Sequence, residues 1–129
     1  MIFFFKIVFY NSLLFLVIVS LYPGSLIGYF LYGNLSQQPD LISNPYGTTI
    51  NHLICYTYIS IIGFFIYNQT KYFKKLLYTL FFLSITLELS HLVIPKRSFQ
   101  VEDLIANILG VVIAYCVIRI YILFCKKNE

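Results

Sequence analysis

The chain has 129 residues, of which 60% are hydrophobic and 11% charged, where soluble proteins carry about 25% charged residues. A mean hydropathy of +0.82 excludes a water-soluble domain, because too few polar side chains remain to cover one, and makes lipid the main solvent. The net charge of +4 sits in short basic clusters between apolar runs; that argues against nucleic-acid binding and fits the retention of Lys and Arg in cytoplasmic loops.

The first apolar run, Ile7 to Tyr22, follows a lone Lys6 like the start of a signal peptide. No A-x-A-like cleavage site follows, and Tyr22-Pro23-Gly24 is a helix stop, so a retained helix over 3–22 is expected. Residues 23–47 contain no Lys or Arg and hold the turn pairs Pro23-Gly24, Gly33-Asn34, Pro39-Asp40 and Asn44-Pro45, which predicts a long outer loop. Its middle, Leu26 to Tyr32, is apolar and aromatic, as segments at headgroup level are, and is expected to lie in the interface or to re-enter the membrane.

A second run predicts a helix over 48–67, long enough for about 30 Å of hydrocarbon, followed by a loop with Lys71, Lys74 and Lys75. A third is expected over 76–94, stopped by Pro95, and a fourth over 102–125, before Lys126 and Lys127. The fold class is thus all-α, a polytopic transmembrane four-helix bundle forming one domain over 1–129. Alternating loops place Lys6, Lys71, Lys74, Lys75, Lys126 and Lys127 on one side and only Lys96 and Arg97 on the other. Both termini are therefore expected in the cytoplasm of a cell (inner) membrane. Arg119 is near enough to the fourth helix end to snorkel to the same surface, and Cys55, Cys116 and Cys125 lack any paired spacing and read as apolar residues.

Ionisable residues at membrane depth are costly, so each needs a partner or a task. His52, Glu88, His91, Asp103 and Asn107 all fall toward the outer ends of their helices. Glu88 and His91 are three apart, His52 and Tyr56 four apart, and Asp103, Asn107, Gly110 and Ala114 follow one face. The seams can enclose one pocket, with small Gly110 and Ala114 permitting close helix packing and Arg97 at the mouth offering a fork for carboxylate or phosphate. They can equally satisfy one another, Arg97 with Asp103 or Glu102 and His52 with Glu88. His52, Glu88, His91 and Asp103 are ligand types for zinc or manganese, but no tight spacing on one element supports a metal site, and no cofactor is expected. No serine or cysteine stands beside a base, so no catalytic residue is assigned, although Glu88 or His52 could act as a general base beside Arg97.

The stretch from Glu88 to Gly110 resembles the signature of the VanZ-like family: Glu88, Pro95, Arg97, Asp103, Asn107 and Gly110 fit its spacing, with His91 in place of a Gln. Ser20 to Gly24 is similar to the Pro-containing end of that family's first helix, and His52 with Tyr56 resembles its Asp-Lys-x-x-His entry to the second, with Thr48 and Thr49 replacing the Asp-Lys pair. The resemblance implies a bacterial-type membrane protein of four or five helices with an envelope-related role, akin to a founding member that gives low-level teicoplanin resistance. The expected activity is binding of an anionic or amphiphilic envelope component, lipid-linked or glycopeptide-like, in an outward-facing pocket. Arg97 would anchor the anion, and His52, Tyr56, Glu88, His91, Asp103 and Asn107 would shape the pocket. An enzyme of lipid or glycan chemistry, or a subunit docking another membrane protein, are the alternatives; oligomeric state is not legible.

Overall fold

The structure, a computed structural model, describes residues 1–39 and 47–127; the expected Asn44-Pro45 turn and Asp40 lie outside those residues. Within them the chain is helical, with α1 Ile2–Leu21, α2 Leu26–Tyr32, α3 Thr49–Tyr67, α4 Phe73–Ser90 and α5 Val101–Lys127. α1 contains no Gly or Pro and stops where Pro23 forces its predecessor out of the helical region: Tyr22 is extended, with ψ 134°.

α2 forms from the apolar middle of the expected outer loop. Seven residues are too few to hold a helix by propensity alone, so its ends carry it. Ser25 Oγ accepts from the Gly28 amide at 2.9 Å, and Gly33, at φ 68°, closes the far end with its N–H on the Tyr29 carbonyl at 2.9 Å. The chain then folds back across the helix, with the Ser25 amide donating to the Leu35 carbonyl at 2.6 Å. Tyr29, Phe30, Leu31 and Tyr32 remain exposed.

α4 begins and ends earlier than the apolar run does. It takes Lys74 and Lys75 into its first turn, where both side chains stay exposed, and closes at Ser90. Beyond Ser90 the ladder tightens to i−3 bonds from the amides of His91, Leu92 and Val93, and Ile94 to Arg97 makes a turn with Pro95 at its second position and Lys96 at φ 61°. Proline cannot continue the ladder and restricts the residue before it, so the helix unwinds ahead of Pro95.

Three of the described helices, Ile2–Leu21, Thr49–Tyr67 and the Val101–Cys125 part of α5, are long and apolar enough to cross a membrane. α4 is not, because Lys74, Lys75 and Glu88 fall within its eighteen residues. Large apolar side chains face outward along the bundle, among them Phe3, Leu14, Phe82, Leu109 and Phe124. The interior mixes Phe9, Leu16, Ile59, Phe64, Leu80 and Val111 with buried Ser60, Ser84, Glu88, Asp103 and Asn107. Apolar residues outside and polar ones within is the arrangement that lipid rewards.

α3 and α5 share the largest interface, and α3 and α4 each touch both α1 and α5. α3 and α5 approach closely at Gly110, where an added Cβ would lie 2.9 Å from the Leu53 carbonyl oxygen and from the Thr57 nitrogen. Ala114, one turn on, is fully buried. At the end opposite the polar residues, Tyr10 and Tyr67 hydroxyls meet at 2.7 Å, Phe5 packs edge-on against Phe65, and the Lys6 ammonium sits 5.9 Å over the Tyr67 ring.

Candidate functional site

The polar end is built by four pieces of chain: the last turn of α1, the first turns of α3 and α5, and the segment from Glu88 through the 91–100 bend. It gathers all seven of the sequence-derived site residues. Glu88 is 1% exposed, in the last turn of α4. Its Oε1 faces His91 Nδ1 at 3.3 Å and accepts from the Gln100 amide at 3.3 Å; its Oε2 is buried without a hydrogen-bond partner and lies 3.9 Å from His52 Nδ1.

His52, in the first turn of α3, connects the other two helices. Nδ1 lies 3.0 Å from Asn107 Oδ1, and Nε2 lies 3.5 Å from Asp103 Oδ2. The Asn107 amide nitrogen donates, at 3.5 Å, to the Ser84 carbonyl on α4, which turns Oδ1 toward the ring. Asp103 is held from its other oxygen by Thr49 Oγ1, which donates at 2.7 Å. Asp103 also sits in the first turn of α5, where the helix dipole favours a negative charge. Tyr56, one turn beyond His52, is 2% exposed with its hydroxyl unpartnered.

Arg97 has a different task from the ion pair with Asp103 or Glu102 that its position suggests. Its Nε donates to the Tyr22 carbonyl at 3.3 Å and its Nη2 to the Val19 carbonyl. His91 Nε2 donates to the neighbouring Ser20 carbonyl at 3.2 Å. The 91–100 bend thus caps the C-terminus of α1, whose last carbonyls have no partner within the helix and carry the negative end of its dipole. Among the described residues every ion pair is made by a histidine. Burial pulls the Arg97 guanidinium below its ordinary pKa, and the negative Glu88 pushes it back.

Two hollows adjoin these groups. A cavity of about 160 Å³ lies between the end of α1, α2 and the start of α3, lined by polar His52, Tyr56, Asn51, Ser25, His91 and Arg97. A broader groove of about 510 Å³ between α3 and α5 is lined mainly by Ile50, Leu53, Ile105, Ala106 and Leu109, with Thr49, Gln100 and Glu102 at its polar border. Sequence reasoning missed Thr49 and the carbonyls of Val19, Ser20, Tyr22 and Ser84; a hydroxyl at a helix start was the one available signal, since carbonyls occur at every position.

No curated protein and no solved structure matches the chain. The VanZ/LLP1 family model matches residues 1–124, nearly the whole length and every element of the polar end. The chain therefore belongs to the VanZ/LLP1 family.

Proposed function

We propose that this VanZ/LLP1-family membrane protein binds the anionic head of an amphiphilic cell-envelope component at its polar end, which faces away from the cytoplasm. The observation that carries this reading is the 160 Å³ cavity, where the buried, unpartnered Tyr56 hydroxyl stands among His52, Asn51, His91 and Arg97. Its volume is about five waters at ~30 Å³ each, enough for a phosphate or carboxylate group and too little for a whole glycopeptide. Arg97 uses two N–H groups on α1 carbonyls and keeps others for an anion.

In this reading α4 spans as well, making a four-helix membrane bundle. α3 ends beside Tyr10 and α5 starts beside His52, so the chain must run the length of the bundle between them, and α4 is the segment that does so. Lys74 and Lys75 lie at the surface end, where long side chains reach water. Both termini are then cytoplasmic, with Lys71, Lys74 and Lys75 on the same side.

The test is mass spectrometry of lipids and glycans retained by purified wild type and Arg97→Ala, with thermal unfolding followed in parallel because the substitution also uncaps α1. Wild type is expected to retain an anionic amphiphile that Arg97→Ala loses while still folded. Equal retention by both folded proteins refutes the anchoring role.

A further inference from the structure

Glu88, Asp103 and His52 come from α4, α5 and α3, yet one ligand atom from each lies within 4.8 Å of the others. In each residue one polar atom is already held. Glu88 Oε1 takes the Gln100 amide, Asp103 Oδ1 takes the Thr49 hydroxyl, and His52 Nδ1 faces Asn107 Oδ1, which can only accept. Glu88 Oε2, Asp103 Oδ2 and His52 Nε2 are left.

With the ring proton on Nδ1, where the Asn107 oxygen accepts it, all three are acceptors. Glu88 Oε2 is buried with no hydrogen-bond partner, and with the ring proton on Nδ1, His52 Nε2 faces Asp103 Oδ2 at 3.5 Å lone pair to lone pair. Two carboxylates, 1% and 4% exposed, share this place; among the described residues only histidines pair with them, and Arg97 acts on Glu88 without an ion pair. A buried unpaired acceptor and two carboxylates crowded together are both costly, and one dication relieves both.

We infer that His52, Glu88 and Asp103 form a binding site for a divalent first-row transition ion such as Zn²⁺ or Mn²⁺. One imidazole nitrogen and two carboxylate oxygens are a donor set for these ions, and three protein ligands leave a coordination position open. Bonds of about 2.0–2.2 Å require ligand atoms that now lie within 4.8 Å of one another to draw together, a side-chain adjustment. Thr49, Asn107, Gln100 and His91 hold the ligands from behind, as outer partners of metal ligands do. The inference needs no envelope ligand and does not depend on the anion reading.

The experiment uses the full chain, purified in detergent, freed of metal by chelation and titrated with Zn²⁺ alone or with Co²⁺ as a spectroscopic substitute. Wild type is expected to bind one ion per chain; His52→Ala should abolish binding, Thr49→Val should weaken it about tenfold, and Tyr10→Phe, at the opposite end of the bundle, should leave it unchanged. X-ray absorption of the zinc-loaded wild type needs no variant: a shell of one imidazole with oxygens supports the site. A shell without imidazole, a sulfur shell from the cysteines, or binding no stronger than that of His52→Ala overturns it. A proton bridging His52 and Asp103 in place of a metal would appear as absence of saturable binding, and so also overturns it.

Discussion

Asn107 is the residue on which the polar end turns, because its side chain reaches His52 on α3 and a backbone carbonyl on α4 from a position on α5. Asn107→Leu keeps the volume and removes both bonds, leaving a half-buried imidazole N–H without an acceptor. The expected loss is about 1–3 kcal/mol, read as a lower unfolding temperature in detergent. Thr49 works in the same network: it stands where the resembling pattern carries a Lys, and a hydroxyl there donates to Asp103 where an ammonium would pair with it. Arg97 satisfies carbonyls, so its charge serves the α1 terminus before it serves any ligand.

Among the elements, α3 and α5 depend most on a small residue. Gly110 brings α5 so close to α3 that a side chain there meets backbone, which cannot move aside as a flexible side chain can. Gly110→Val should therefore cost about 1–3 kcal/mol from overpacking, and it should shift His52 relative to Asp103 and Asn107, because these pairs lie on the same two helices. Thermal unfolding measures the first effect, and loss of zinc or cobalt binding by the folded variant measures the second. α2 depends on its caps: Ser25→Ala removes the hydroxyl that accepts from Gly28, with an expected cost of about 1 kcal/mol in helix stability. The readout is faster amide hydrogen exchange in α2, with α3 and α5 unaffected.

For the whole molecule, the hydrogen bonds require alternate long helices to run in opposite directions. The α1 C-terminus, the α3 N-terminus, the α4 C-terminus and the α5 N-terminus all meet at one end, and the 68–72 connection with exposed Lys71 lies at the other. Exposed Ser98 and Gln69 mark the two ends. In a background with Cys55, Cys116 and Cys125 replaced, Ser98→Cys in intact cells should react with an impermeant thiol reagent, and Gln69→Cys should react only after permeabilisation. The reverse pattern would place the polar end in the cytoplasm and remove the outward-facing reading.

From the sequence alone, composition pointed to a lipid environment, apolar length to four spans, of which three described helices have the length and hydropathy to cross a membrane, and helical spacing to the faces that carry Glu88, His91, Asp103 and Asn107. These were legible because burying an ionisable group in lipid is costly, so such residues stand out against an apolar background. What only the tertiary structure decided was how the helices are rotated and which backbone groups they offer. Arg97 meets carbonyls, which every residue possesses, and α2 is held by bonds to chain that folds back over it. The His52, Glu88 and Asp103 cluster draws one residue from each of three helices. No local spacing can record that convergence, because it is set by how the helices pack against one another.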